Sequence, residues 1–285
     1  MTQRMLPLYE GKMIHQYDHR WATYVNSEDA RDVTDAEKRD PALVSRPRYW
    51  VRESLVRDRV EPRTSHSFLT SFRDIARATD ERTTIAASLP VVGVGHTAPL
   101  LFAAANHEFA LAAFNSLVFD YVARQMIGGT HMAYTTLKQL PILEPTSFEG
   151  EQLWSKGIEL ADWVGARVLE LMYTAYDMRA FAEDLGDAGE PFVWDPERRF
   201  LLRCELDAAF FHLYGVARDD VDYIMETFPI VRGKDVAAYG EYRTKRVILE
   251  VFDAMQAAIH TGEPYRTILN PPPGEGPRHP KETSR

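Results

Sequence analysis

At 285 residues the chain is long enough for one large core or two modest ones, and its 45% hydrophobic and 26% charged content is ordinary for a globular protein. No apolar run reaches the ~18–20 residues of a membrane span, the first residues lack a signal peptide's apolar stretch, and the lone Cys204 excludes an internal disulfide or a Cys-based zinc cage, so a soluble cytoplasmic protein is expected. The net charge of −9 excludes nonspecific wrapping of nucleic acid, yet residues 41–77 carry eight arginines against four acidic groups, while residues 141–285 hold 16 basic and 26 acidic groups.

Up to residue 25, apolar and polar groups alternate around Met13, His15, Tyr17, His19, Trp21 and Thr23, closer to period two than to a helix, so an extended segment is predicted. Residues 26–47 are polar, contain Pro41 and Pro47, and read as a loop or insertion. Short strand-like runs follow at 49–51, 67–72, 83–89 and 91–95. The period then changes: residues 106–126 read as one amphipathic helix stopped by Gly128 and Gly129, and residues 137–143 as a short strand. The longest helical pattern covers 150–185, with further helices near 197–214, 218–227 and 235–260 and turns at Gly215, Pro229 and Gly233. Five prolines in residues 270–285 predict an extended or disordered tail. The whole reads as an α+β chain: a mixed-sheet α/β domain over 1–145, a helical region over 146–265 and a Pro-rich tail over 266–285.

No catalytic constellation emerges. VVGVGHT (91–97) lacks the Gly-Lys-Ser/Thr of a P-loop and the third glycine of a dinucleotide fingerprint, so a strand with a tight turn is favoured. His15, Asp18 and His19 could form a metal triad, but four-residue spacing brings two ligands together only on a helix, and this segment reads as extended. NPPP (270–273) has proline where amino-methyltransferases carry a stacking aromatic, and it lies in the tail. No Gly-x-Ser-x-Gly elbow is present, and Cys204 lies within a helical pattern. No metal site is expected.

Three stretches, LPLYEGKMIHQYDHRWATY (6–24), SFRDIARATDERTTIAASLP (71–90) and LAAFNSLVFDYVARQMIGGTHMAYTTLKQLPI (111–142), resemble in that order the C-terminal target-recognition region of large adenine-specific DNA methyltransferases. That family includes type IIG restriction–modification enzymes and methylases of phage defence. The helix, glycine turn and Leu-Lys-x-Leu-Pro-Ile pattern of the third also recurs in type I restriction specificity subunits, and residues 228–255 resemble the helical tail that often follows in the large enzymes. The four cover about a third of the chain.

The resemblance implies a DNA specificity module that reads base edges in the major groove and sets its register by phosphate contacts. The cofactor-binding and catalytic motifs of the full enzymes are absent from these residues, so the chain is expected not to be an enzyme on its own and to hold no cofactor. S-adenosylmethionine belongs to a catalytic domain or subunit, which joins double-stranded DNA as an expected partner. The candidate readers are Lys12, His15 and Arg20 in the first stretch, Arg73, Arg77, Arg82 and Thr83 in the second, and Thr130, His131 and Lys138 around the glycine turn. Arg46, Arg48 and Arg52, with Arg57, Arg59 and Arg63, are candidates for phosphates. Asn115, Ser116 and Phe119 are assigned to structure. The rival expectation is an assembly subunit that contacts only protein through its acidic helical half.

Overall fold

The computed structural model of the protein describes residues 3–103 and 106–281, and they form an α+β fold. In the N-terminal half, β1 (Met5–Tyr9) leads through a 3-10 turn at Gly11–Met13 to β2 (Ala22–Tyr24), which pairs antiparallel with β3 (Ala30–Asp32). The polar stretch expected to be loop thus contains a strand and the short helix α1 (Asp35–Lys38), closed by a Thr34–Glu37 capping box. β4 (Tyr49–Arg52) pairs antiparallel with β1. The arginine-rich segment after it is helical, α2 (Glu53–Val60), with Val56 and Val60 buried four residues apart. β5 (Phe68–Phe72) lies between β6 (Ala86–Pro90) and β8 (Leu100–Leu101), and β7 (Gly93–Val94) runs parallel to β1.

The expected helix over 106–126 is two, α3 (His107–Asn115) and α4 (Leu117–Met126), because Ser116 adopts an extended backbone and its hydroxyl caps α4 at the Phe119 N–H. Asn115, at the break, spends its side-chain amide on β6: its Oδ1 accepts from the Ala86 N–H and its Nδ2 donates to the Ala86 carbonyl. The predicted strand over 137–143 does not form. Residues 134–140 close local bonds instead, starting with α5 (Tyr134–Leu137) and continuing through Lys138 N–H to the Tyr134 carbonyl and Leu140 N–H to the Leu137 carbonyl, and Pro141 has no donor to offer a ladder.

The helical pattern from residue 150 begins only at α6 (Leu160–Met172). Glycines with positive φ at 150 and 157 shape a loop first, and Leu153 and Ile158 are exposed rather than part of an apolar stripe. Then come α7 (Arg179–Asp184), α8 (Pro196–Leu213), α9 (Arg218–Glu226), α10 (Pro229–Tyr239) and α11 (Arg243–Thr261). The break in the expected 235–260 helix is Gly240, with φ 77°, whereas Gly233 lies inside α10. A continuous buried cluster runs from Tyr9 and Met13 through Phe72, Phe114, Val164 and Phe210 to Ile248, Met255 and Leu269, so both halves of the chain share one core. Among the described residues no helix is long and apolar enough to cross a membrane.

The proline-rich segment is docked through His279 rather than disordered; residues 282–285 lie outside the described residues. The Val193 N–H donates to the Pro277 carbonyl, and Arg198 donates to the carbonyls of Pro271 and Pro272. Glu205, buried on α8, accepts from Tyr265, Thr267 and the Ile268 N–H while Arg167 neutralises it. Arg278 donates to Asp187 and the Glu190 carbonyl, with its guanidinium 3.7 Å from the Phe192 ring centroid. Arg278→Ala is expected to cost about 1 kcal/mol and to open the segment to proteolysis; an unchanged digestion pattern would count against this clamp.

Candidate nucleic-acid interface

The first, second and third resembling stretches meet in the N-terminal half. Residues 74–76 lie antiparallel to 130–132: the Ala76 N–H donates to the Thr130 carbonyl (3.1 Å), the Met132 N–H to the Asp74 carbonyl (2.7 Å), and Ile75 bridges His131. His131 Nδ1 is 2.7 Å from Asp74 Oδ2. The Asp74 N–H in turn donates to the Thr97 carbonyl, and Thr97 Oγ1 accepts from the Gly11 N–H at 3.0 Å. Gly11 is required there, since a Cβ would press into the Thr97 carbonyl. Lys12, next in the chain, is exposed with its ammonium 4.5 Å over the Tyr24 ring, and the Tyr24 N–H donates to the Arg46 carbonyl. Contacts through Gly11, Thr97, Asp74 and Tyr24 thus bring the segments carrying Lys12, Thr130, His131 and Arg46 together, and Arg77 follows Ala76 in the chain.

Exposure sorts the candidates. Lys12, Arg46, Arg48, Arg52, Arg77, Thr130, His131 and Lys138 are exposed. None of the six lysine and arginine side chains among these eight forms an ion pair with a described residue. By contrast Arg218, Arg232, Arg243, Lys245 and Arg246 in the helical half are each held by a carboxylate. Uncommitted positive charge beside Tyr49 and Trp50, which are 50% and 54% exposed on β4, is the composition a polyanion contacts.

Five of the predicted readers are placed elsewhere. Arg20 is fully buried, and its guanidinium donates to the carbonyls of Lys38, Asp40, Leu43 and Thr174. Arg82 and Thr83 are buried against α4: Asp120 Oδ2 accepts from Arg82 Nε (2.8 Å) and from the N–H groups of Thr83 and Thr84, while Arg124 holds its other oxygen. Arg73 is half-buried and donates to the carbonyls of Gly11 and Ile14, which fixes the loop carrying Lys12. His15 stacks on Trp21 with centroids 4.2 Å apart and faces a cleft rather than the exposed rim. Arginines supply the donors buried carbonyls require, so residue type alone did not separate buried struts from exposed cations.

Nor do His15, Asp18 and His19 converge: Asp18 pairs with Lys38 at 2.6 Å and His19 Nε2 with Asp177 at 2.9 Å. Among the described residues no group of three or more His, Cys, Asp or Glu is arranged to hold a metal. Burial pushes the Cys204 thiol well above its ordinary range, so it is not a poised nucleophile. Asp74 and Thr97 were missed in the sequence; the one signal for them was that each follows the end of a predicted strand, Thr97 directly after a Gly-rich turn. Comparisons with protein-family models, with curated proteins and with solved structures returned no match.

Proposed function

We propose that the chain is the DNA sequence-recognition module of an adenine-specific DNA methyltransferase or of a restriction–modification or phage-defence system. It binds duplex DNA through base-edge and phosphate contacts. Methyl transfer from S-adenosylmethionine is left to a catalytic domain or subunit that partners it. The observation that carries this reading is that the segments bearing Lys12, Arg46, Thr130 and His131 are held together beside Arg77, with cations that form no ion pair on an otherwise acidic chain. Lys12, Arg46, Arg48 and Arg52 supply phosphate contacts, and Arg77, Thr130, His131 and Lys138 supply donors to base edges.

The test is selection from a random duplex pool at two salt concentrations, followed by sequencing of the retained DNA. An enriched motif is expected. A Lys12→Ala/Arg48→Ala/Arg77→Ala variant is expected to bind about ten-fold or more weakly and to lower the salt slope by about 2–3. Arg232→Ala in the helical half leaves both unchanged. Unaltered binding in the folded triple variant overturns the assignment.

A protein-assembly role is the second reading, favoured by the outer edge of β4, where Tyr49 and Trp50 stand exposed on a strand paired on one side. Absence of DNA binding at low salt would select it.

A further inference from the structure

A cleft of about 610 Å³ lies where the N-terminal half meets α8 and α10, and its volume falls in the range of small-molecule sites. Its buried wall comprises Gln16, Arg82, Asn115, Cys204 and Asp207, and its exposed rim carries Glu197, Lys234 and Tyr239. Most of the charges lining it are already committed. Arg82 is bound to Asp120, Lys234 to Glu81 at 2.5 Å, and Glu197 to Arg243. Asp235 Oδ2 accepts from the Thr244 N–H, Asp195 caps α8, and Asp207 Oδ1 accepts from the Leu117 N–H.

Arg203 is the exception. It sits four residues before Asp207 on the same face of α8, is half-buried, and has no hydrogen bond or ion pair with any described residue. Neither ring nitrogen of His15, which also lines the cleft, has a hydrogen-bond partner among the described residues. Arg203 acts on the Asp207 carboxylate within the cleft without a direct hydrogen bond to it, so its guanidinium donors are left free for a ligand anion.

We propose that this cleft binds a small organic phosphate of mononucleotide size, its phosphate on Arg203 with His15 as a second donor. Phe200, Val231, Ala238 and Tyr239 supply the wall for the planar base, and the carboxylates of Asp195 and Asp235 accept from sugar hydroxyls or a base amine. Burial lowers the His15 imidazole's affinity for a proton, with Arg73, Arg203 and Arg82 adding to it against Asp18, so His15 meets the ligand as a neutral donor.

The test is calorimetric titration and thermal unfolding of the full chain with adenosine monophosphate, inorganic phosphate and citrate. Adenosine monophosphate is expected to bind and raise the unfolding temperature. Arg203→Gln, which removes no hydrogen bond or ion pair to a described residue, is expected to weaken binding about ten-fold or more, its thermal shift read against its own ligand-free unfolding temperature, and Arg203→Lys to restore part of it. No binding, equal binding by Arg203→Gln, or inorganic phosphate or citrate binding as well as the nucleotide overturns the proposal. Arg203→Gln retains DNA binding and the Lys12→Ala/Arg48→Ala/Arg77→Ala variant retains nucleotide binding, so this site and the interface fail separately.

Discussion

Arg20→Ala is expected to remove about 3–5 kcal/mol of stability, enough to unfold much of the population, since small domains hold about 5–15 kcal/mol in all. One Arg20 Nη donates to the Asp40 and Leu43 carbonyls at 2.9 and 3.4 Å; the other donates to the Lys38 and Thr174 carbonyls, both at 3.1 Å, and to Thr174 Oγ1 at 3.2 Å. Deleting the side chain leaves those buried acceptors without donors and opens a void beside Lys38 and Asp18, themselves a buried pair. Lysine has too few donors and no planar fork to reach both sides, so Arg20→Lys recovers only part of the loss. Urea unfolding decides it: a wild-type midpoint for Arg20→Ala would refute the strut. Arg48→Ala, on the exposed rim, is expected to stay within about 0.5 kcal/mol of wild type, so stability separates buried strut from exposed cation before any DNA is added.

Asp207→Asn is expected to stabilise the protein at pH 8 by about 3 kcal/mol and to leave it unchanged near pH 4. Burial raises the Asp207 carboxyl to about 6, against the pull of Arg82, the Leu117 N–H and Arg203, with Asp120 adding to the rise. An unfolded aspartate titrates near ~3.9, so the folded state holds a proton that the unfolded state releases. The cost is absent below pH 4, grows as pH rises to about 6 and is constant above it. Asparagine keeps an oxygen for the Leu117 N–H, which Asp207 Oδ1 now accepts at 2.7 Å, and removes the ionisation. Equal urea midpoints for the two proteins at pH 8 would show that the carboxylate is not penalised.

Local order was legible where neighbours in sequence decide it. The strands around residues 49–51 and 67–72, the helix end at Met126, the Asn115–Ser116 pair as structure, and helices near α8 and α9 follow from period, caps and breakers. Two of the misses share a physical origin in local competition. At Ser116 a side-chain cap competes with helix continuation, and at 137–143 local bonds compete with a ladder that has no partner strand.

For the site, the composition marked an arginine-rich half, and the exposed members Lys12, Arg46, Arg48, Arg52, Arg77 and Lys138 were within reach of that reading. Which arginines are struts was not, because the deciding acceptor lies elsewhere in the chain. Thr174 stands 154 residues from Arg20, and the Tyr17 carbonyl that Arg199 holds stands 182 residues away. The sequence by itself determined the α+β class, the charge asymmetry and most of the strand and helix positions, all of which depend on neighbours a few residues apart. Only the tertiary structure decided that Arg20 and Arg82 are buried, that the proline-rich segment is docked, and that Arg203 is left unpaired in a cleft. Burial and counter-charge are properties of packing between distant segments, and no local pattern encodes them.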